Sequence, residues 1–340
     1  MQAVIIEEKN KADWDRFVDA SPNVISWHIY DWYKVPAAYY GLDYYPLAVY
    51  DGGEVRGILP LYKAQTLRTG PALISIPYVV AGGIVAESKE IEQVLLQRAI
   101  EMSKEMGSIP LTLKQYKNKV DGDLTTDETY YNRELTLTRD IDDLWNRISE
   151  HNREQIKLTE GEDYTFEYPS QDFDGFYRSL LQHHHITGVP APSKKWVRYL
   201  RDTGLYIMAL LKRGDKILAA SMAKEFKDTV SFPLTSLPSR DPADEKYAYR
   251  LYWELLKDLA GRDIHIAHSG RIPDSEEVPQ YRLGWGGEKN RYYYQYYGYS
   301  GKTESTSKRG GKRDLFKTVW RKMPIGVTRM AGGFINKQFP

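Results

Sequence analysis

The chain of 340 residues is 41% hydrophobic and 27% charged, a composition typical of a globular protein that is long enough for two domains. Its 47 basic and 46 acidic residues nearly cancel and it contains no cysteine, which argues against a nucleic-acid coat protein and excludes disulfides, thiolate nucleophiles and Cys-ligated zinc. The apolar run 71–86 is too short and too interrupted to span a bilayer, and the first residues lack the pattern of a signal peptide, so we expect a cytoplasmic protein.

The first half of the sequence predicts two helical segments, a hairpin, a third strand, a long helix and a further strand. Trp14, Phe17 and Val18 recur at helical spacing, and an Asp-Gly-Gly turn at 51–53 joins two apolar runs, which is a strong hairpin signal. In chain order, the predicted elements cover residues 12–20, 27–40, 45–62, 73–79, 90–106 and 109–116.

The second half repeats this order, which favours an internal duplication. Its predicted elements cover residues 172–184, 193–202, 205–226, 230–237, 244–261 and 263–268. Helices, hairpin, third strand, long helix and strand is the order of the GNAT acyltransferase fold. We therefore expect an α/β (α+β) protein with two tandem GNAT-like domains, each a mixed twisted sheet flanked by helices. The expected domains are 1–139 and 140–300, with a linking helix at 140–149 and a basic linker and amphipathic tail at 301–340.

The C-terminal residues are strongly basic. Residues 302–340 contain ten Lys or Arg against Glu304 and Asp314, a net charge of +8. Residues 300–313 are polar and Gly-rich, as in a mobile linker, and 314–323 place apolar side chains, including Phe316 and Trp320, at helical spacing among cations. Such a tail suits a polyanion or an anionic membrane surface, so we expect peripheral contact with the inner face of the membrane.

Metal and acetyl-CoA sites are not expected. His183–His185 are adjacent, and consecutive helical residues point about 100° apart, so they cannot all ligate one ion. A GNAT protein that uses acetyl-CoA usually holds the pyrophosphate on a Gly-rich loop entering its long helix. The segment 234–248 has Arg240 but no glycine, and its acidic residues would repel a phosphate, which makes acetyl-CoA the less favoured donor.

The segment 268–299 is the densest in candidate site residues. Its Tyr-rich end reads as a closing strand, and the preceding loop carries Arg271, Tyr281, Arg282 and Trp285. Two cations and two aromatic rings around an acidic loop are suited to gripping a carboxylate, a phosphate or a nucleotide end, although each could instead be structural.

The chain resembles a known family in nine segments, which lie in the family's order. They are 26–35, 57–62, 75–78, 81–83, 188–190, 250–256, 270–271, 281–288 and 318–340. In these segments the sequence is similar to the Fem-type peptidoglycan-bridge aminoacyltransferases, and more closely to the FemAB-like proteins found with PEP-CTERM/exosortase systems.

The resemblance implies an acyltransferase that moves an aminoacyl or acyl group onto an amine of a cell-envelope precursor, either peptidoglycan or polysaccharide. It implies no cofactor and no metal, with aminoacyl-tRNA or another activated acyl carrier as donor and a free or lipid-linked amine as acceptor. Tyr281-Arg282 aligns with the family's aromatic–lysine pair, so Arg271, Tyr281 and Arg282 are the expected catalytic residues. The substrate-binding residues implied are Trp27, Tyr30, Tyr78, Gly82, Gly83, Gly188, Pro190, Tyr252 and Trp285.

Two other hypotheses assign the protein a function without catalysis. The basic tail and the Tyr-rich strand could form a non-catalytic RNA-binding module, or the tail could make the protein a membrane-surface adaptor on a GNAT-like scaffold. DNA is not an expected partner, because the body of the chain is acidic.

Overall fold

A computed structural model describes four stretches of the chain, residues 1–66, 70–274, 278–298 and 310–337. The chain divides into two units. Unit 1 is built from residues 1–130 and 290–298 together with Lys337, and unit 2 from residues 131–289 and 310–336. The expected domains, 1–139 and 140–300, follow chain order, whereas unit 1 also contains residues 290–298 and unit 2 already begins at residue 131.

The helices and strands follow the predicted sequence of elements. The first are β1 (Ala3–Ile5), α1 (Lys11–Ala20), α2 (Lys34–Tyr40), β2 (Asp43–Asp51), β3 (Glu54–Thr66), β4 (Gly70–Ser75), β5 (Val85–Ala86), α3 (Lys89–Glu105), β6 (Leu111–Tyr116) and β7 (Thr125–Asp127). Next come β8 (Tyr130–Thr136), α4 (Ile141–Arg147), α5 (Glu150–Lys157), β9 (Thr165–Ser170), α6 (Phe173–Thr187), α7 (Lys194–Asp202), β10 (Tyr206–Arg213), β11 (Lys216–Phe226) and β12 (Thr229–Ser236). The last are α8 (Lys246–Ala260), β13 (Ile266–His268), β14 (Ile272–Pro273), β15 (Glu288–Tyr297), α9 (Gly310–Lys322) and α10 (Ile325–Lys337).

Unit 1 contains a mixed sheet with strand order β1-β2-β3-β4-β6-β15. Gly52 and Gly53 have φ of 59° and 84°, the left-handed conformation that a two-residue hairpin turn between β2 and β3 requires. Strands β4 and β6 are parallel, with Leu73 opposite Leu111, and α3 is the crossover helix between them. The apolar face of α3 packs on the sheet and forms the core of the unit.

Unit 2 repeats this plan with strand order β8-β13-β12-β11-β10-β9. Strands β10 and β11 form the second predicted hairpin. Strands β12 and β13 are parallel, with Val230 opposite Ala267, and α8 is their crossover. The core of the unit lies between α8 and one face of the sheet, and it includes Leu251, Leu255 and Trp285.

Each sheet is completed by a strand from outside its own half of the chain. Strand β8 follows the elements of unit 1 but pairs with β13 of unit 2, where Leu135 lies opposite Ala267. Strand β15 follows the elements of unit 2 but pairs with β6 of unit 1, where Tyr294 lies opposite Lys114. The Tyr-rich segment is thus a closing strand, as predicted, but it closes the sheet of unit 1.

Four local predictions differ from the structure. The strand expected at 73–79 ends at Ser75, because the backbone turns into positive φ at Ile76 and Tyr78. The linking helix expected at 140–149 is present but shorter, as α4 with Asp140 as its cap, and the separate helix α5 that follows it was not predicted. The tail contains α10 in addition to the predicted helix. The expected linker lies outside the described residues as far as 309, and its last four residues begin α9.

No helix in the described part of the chain combines the length and the apolar composition needed to cross a bilayer.

Candidate functional site

The polar residues closest to the predicted catalytic loop lie at adjoining ends of β8 and β13. Asn132 is buried, and its side-chain oxygen accepts hydrogen bonds from the Gly270 backbone N–H at 3.1 Å and the Ser269 hydroxyl at 3.3 Å. Its amide nitrogen must therefore be the donor in the 2.8 Å contact with Nδ1 of His268. This hydrogen bond fixes the neutral tautomer of His268 that carries its proton on Nε2. His268 is thereby set to donate a hydrogen bond.

A row of polar side chains continues from His268 across the sheet of unit 2. In cross-strand register, Glu134 lies opposite His268, His268 opposite Ser231, Ser231 opposite Lys224, and Lys224 opposite Tyr206. Residues in register project from the same face of a sheet, so these side chains share one face. Lys224 is fully buried, and burial lowers the pKa of its ammonium well below the usual value.

Arg282 forms hydrogen bonds with the backbone of the predicted catalytic loop. Its guanidinium donates to the backbone carbonyl of Arg271 at 2.9 Å and is 3.5 Å from that of Ser269. The Asn132 hydrogen bond holds the same segment from the other side, so the loop at 269–271 is tied to the end of β8 and to Arg282. A guanidinium has five N–H donors, and the two contacts use only one of its nitrogens, which leaves donors for an anionic group.

Aromatic side chains surround Arg282. The Trp285 indole N–H donates to the Tyr281 carbonyl at 2.7 Å, and its ring stacks on Tyr252 of α8 with centroids 5.4 Å apart. Burial raises the pKa of Tyr281 to about 12 and also raises that of Tyr252, while the positive charge of Arg282 acts in the opposite direction on both hydroxyls. The structure therefore brings together Tyr252, Tyr281, Arg282 and Trp285.

Arg271 precedes Tyr281, Arg282 and Trp285 in sequence; its backbone carbonyl accepts from Arg282, and its side chain is exposed. The cluster of Tyr252, Tyr281, Arg282 and Trp285 offers a cation and aromatic surfaces. These are the groups that stabilise a developing oxyanion or a phosphate beside a planar ring.

Gly188 and Pro190, predicted to bind substrate, have other contacts in unit 2. Gly188 ends α6 in the left-handed conformation with φ of 75°, and a Cβ there would be 2.8 Å from the Lys317 side chain of α9. The Pro190 carbonyl accepts from the Asn336 side-chain amide of α10 at 3.1 Å. Gly188 and Pro190 therefore contact the tail helices α9 and α10, and they are not part of the Arg282 cluster.

The candidate residues of unit 1 belong to two environments. Trp27 and Tyr30 are buried, and Tyr30 lies among Trp14, Tyr33 and Tyr44, where burial raises its pKa to about 12. Such contacts are those of a packed aromatic core.

Tyr78, Gly82 and Gly83 lie on the loop between β4 and α3. Tyr78 has φ of 64° and stacks on Tyr40. A side chain at Gly82 would overlap Ile76, and one at Gly83 would overlap Gln115, so both glycines are required for close packing. The Gly83 carbonyl accepts from Nε2 of buried His28 at 3.1 Å.

The corresponding loop of unit 2 leads into α8 through a short 3-10 helix at 242–245. Asp241 accepts from the backbone N–H of Ala243 at 2.9 Å, and Ser239 donates to the Asp244 carboxylate. These carboxylates occupy the position where a phosphate would need free N–H donors. Beside the loop is a cavity of about 270 Å³, lined by Gln182, Lys216, Ile217, Leu218, Pro238, Ser239, Arg240 and Asp244.

The three adjacent histidines lie on α6. Nδ1 of His183 accepts from the Leu237 backbone N–H at 3.2 Å, and burial lowers the pKa of His184 to about 4. Across the described residues, no group of three or more His, Asp or Glu side chains is arranged to hold a metal ion.

Asn132, Glu134 and His268 were missed by the sequence analysis. The signal was present, since Asn132 and Glu134 alternate on a strand and His268 stands two residues before Gly270. Their association depends on the pairing of β8 with β13, which are separated by the rest of unit 2 in sequence.

Several solved structures have folds similar to that of this chain. The crystal structure of FemX matches with a TM-score of 0.66 and 11% identity over 87% of this chain and 97% of that chain. A tandem GNAT protein from the clavulanic acid biosynthesis pathway matches with a TM-score of 0.55 and 10% identity, covering 86% of this chain and 97% of that chain. L-PGS from Bacillus licheniformis matches with a TM-score of 0.51 and 10% identity, covering 87% and 89%.

At such identities the likeness shows the fold, and the predicted tandem GNAT fold is confirmed. No family model and no curated protein matches the sequence.

Proposed function

We propose that this chain, which has the tandem GNAT fold, is an acyltransferase that moves an aminoacyl or acyl group onto an amine of a peptidoglycan or polysaccharide precursor. The observation that carries the proposal is the Arg282 cluster of unit 2, where a guanidinium lies at the loop 269–271 with the rings of Tyr252, Tyr281 and Trp285. The similarity in fold to FemX and to L-PGS supports the choice of reaction class.

In the proposed reaction, the acceptor amine attacks the carbonyl carbon of an activated ester on the donor. A C–N bond forms, the ester C–O bond breaks, and the proton lost by the amine is balanced by protonation of the departing alkoxide. Negative charge develops on the carbonyl oxygen, and the Arg282 guanidinium is the donor that would stabilise it. Tyr281 and Trp285 would contact the donor's planar end, and Arg271 would hold an acidic acceptor.

The donor we favour is aminoacyl-tRNA or another activated acyl carrier. The loop that enters α8 contains the carboxylates of Asp241 and Asp244, and it favours such a donor over acetyl-CoA because these carboxylates would lie beside the pyrophosphate. The direct test mixes the purified protein with an amine-bearing envelope precursor and one of two donors. The donor is aminoacyl-tRNA in one reaction and acetyl-CoA in the other. Product formation from aminoacyl-tRNA supports the proposal, and product from acetyl-CoA alone contradicts this choice of donor.

The role of Arg282 is tested by comparing two arginines that both hold backbone carbonyls. Arg282→Ala should lower kcat roughly a hundredfold, the usual effect of removing one preorganised oxyanion donor. Arg282→Lys should keep part of the activity, because the cation remains. Arg133 is the matched control, since its guanidinium donates to the Gly287 carbonyl at 3.1 Å without belonging to the cluster. Arg133→Ala should therefore change kcat only a few-fold.

Equal losses of activity in Arg282→Ala and Arg133→Ala would mean that Arg282 only clamps the loop. The thermal stabilities of the two variants, measured in parallel, show whether both have lost a comparable structural contact. Turnover of an amine acceptor by the parent protein would rule out a non-catalytic RNA-binding or adaptor module.

A further inference from the structure

The two tail helices each bury one side on unit 2. On α9, Trp320 is only 2% exposed, and Arg321 donates to the Thr187 carbonyl at 3.1 Å. On α10, Thr328 and Gly332 are buried, and a Cβ on Gly332 would be 2.6 Å from the Ala191 carbonyl oxygen. Since α10 approaches the backbone of unit 2 this closely, the side of the tail that faces unit 2 is fixed.

The opposite side of α10 is apolar and faces solvent. Thr328, Gly332 and Asn336 recur every four residues on the buried side. Val327, Met330 and Phe334 form a second stripe about half a turn away, and they are 50%, 79% and 70% exposed.

Helix α9 has the same division. Leu315, Phe316 and Val319 are 66%, 42% and 46% exposed, while Trp320 points inward with Phe316 stacked beside it. The sequence predicted one apolar face that included both Phe316 and Trp320. In the structure the two rings stay stacked but differ in burial, because Trp320 packs against unit 2 while Phe316 remains partly exposed.

Exposed apolar side chains are concentrated on this tail. Of the twelve large hydrophobic side chains exposed among the described residues, seven lie between Leu315 and Phe334. Isolated exposed apolar residues are common on soluble proteins, but such a concentration on two adjacent helices marks an interaction surface.

The charge of the tail identifies what this surface contacts. Between residues 314 and 337 the only acidic residue is Asp314, and the basic residues are Lys317, Arg321, Lys322, Arg329 and Lys337. A second copy of the chain would bring these cations against one another. An RNA would attract the cations but would leave Met330 and Phe334 without an apolar partner. An anionic bilayer surface provides partners for both kinds of side chain. Its headgroups attract the cations, and its acyl chains contact the exposed apolar stripes.

We propose that α9 and α10 form a docking surface for an anionic lipid bilayer, with both helices lying in the headgroup region and Trp320 remaining against unit 2. The exposed apolar stripes insert among the upper acyl chains, and the cations contact the headgroups. Neither helix is long and apolar enough to cross the bilayer, so the contact is peripheral. This inference is independent of the proposed reaction, because binding is measured without turnover.

The test measures binding of the full chain to phosphatidylglycerol vesicles and to phosphatidylcholine vesicles by cosedimentation. The parent protein should bind phosphatidylglycerol vesicles more tightly, and added salt should weaken the binding. The double variant Met330→Ser/Phe334→Ser should bind them roughly tenfold more weakly, because two exposed side chains lose their apolar burial. Leu158→Ser is the matched control, since Leu158 is 60% exposed on unit 2 outside the tail, and it should bind like the parent.

Charge is tested separately with Lys322→Glu/Arg329→Glu, which should also weaken binding and remove most of its salt dependence. Parent-like vesicle binding by the Met330→Ser/Phe334→Ser variant would overturn the proposal. Competition by tRNA that depends on the cations but not on the apolar stripe would identify a polyanion site instead. A parent dimer that dissociates in the double variant, together with unchanged vesicle binding, would identify a surface for a second copy.

Discussion

Each unit has its own long crossover helix between two parallel strands, but the loop that leads into this helix is built differently in the two units. In unit 1 the loop after β4 is held from inside the protein. Ile76 and Tyr78 have φ of 41° and 64°, an uncommon conformation for non-glycine residues, and the buried ammonium of Lys114 donates to the carbonyls of Ile76 at 3.3 Å and Val79 at 3.2 Å. After β4 ends at Ser75, these two carbonyls have the buried Lys114 ammonium as their hydrogen-bond donor.

In unit 2 the equivalent connection is held from the surface by carboxylates. Glu162 accepts from Lys246 at 2.6 Å, from Arg213 at 2.5 Å and from the Tyr247 hydroxyl at 2.8 Å, so it fixes the first residues of α8. Asp241 caps the short helix before it. The duplicated topology of the two units therefore does not preserve the chemistry of this loop. One loop depends on a buried contact that substitution would break, and the other on acidic groups that must remain ionised.

The largest effect should come from the buried cation of unit 1. Lys114→Met leaves the Ile76 and Val79 carbonyls without their donor, and we expect the free energy of unfolding to fall by about 2–4 kcal/mol. Urea unfolding followed by circular dichroism measures the change. Lys119→Met, at an exposed position of the same unit, should stay within about 0.5 kcal/mol of the parent. Equal stability of the two variants would mean that the ammonium does not hold the loop.

The carboxylate of unit 2 should make stability depend on pH. Its hydrogen bond with Lys246 is the main cause that lowers the pKa of Glu162 below 4.5, and the hydroxyl of Tyr247 and the charges of Lys246 and Arg213 add to it. A group with a lowered folded pKa stabilises the protein above its unfolded pKa, and that contribution is lost as pH falls through the folded pKa.

Glu162→Gln should therefore lower the free energy of unfolding by about 1 kcal/mol at pH 7 and flatten its dependence on pH below 4.5. Denaturant unfolding across this pH range tests both points. Glu160→Gln, at a neighbouring exposed position, is the control and should follow the parent profile. If both variants show the same profile, Glu162 does not brace the start of α8.

The smallest effects should come from the two helix caps. Ser88 accepts from the Ile91 backbone N–H at 3.3 Å in unit 1, and Asp241 accepts from Ala243 at 2.9 Å in unit 2. Ser88→Ala and Asp241→Ala should each lower stability by about 0.5–1 kcal/mol, with the larger loss for Asp241 because its bond is shorter and charged. Amide hydrogen exchange at Ile91 and Ala243 locates each loss. An Asp241→Ala variant that exchanges like the parent at Ala243 would show that the cap contributes nothing.

Much of the fold could be predicted because its signals are local. The Asp-Gly-Gly turn after β2 and the helical spacing in α3 and α8 each depend on residues within a few positions of one another. The recurrence of these signals identified the duplication, and the resulting GNAT fold is confirmed. The sequence also predicted a site at Arg271, Tyr281, Arg282 and Trp285, since cations and aromatic rings cluster within 15 positions (271–285), and this site stays a prediction.

Other features could not be predicted because they depend on contacts distant in sequence. Asn132 and His268 meet only because β8 pairs with β13, and no local pattern indicates that a strand will leave its own half of the chain. Gly188 looked like a binding residue but lies against Lys317, and Trp320 looked like part of an exposed face but is buried. A helical period shows which side chains share a face, and only the packing decides what that face touches.

By itself, therefore, the sequence determined the order of elements, the two hairpins and the crossover helices, because turn chemistry and side-chain periodicity act over a few residues. Three other features depend on the folded structure: the strand that closes each sheet, the tautomer of His268 and the side of the tail that faces solvent. Those outcomes depend on hydrogen bonds and packing between segments more than a hundred residues apart, such as Asn132 with His268 and Pro190 with Asn336. The free energy of such contacts is not encoded in any single stretch of the chain.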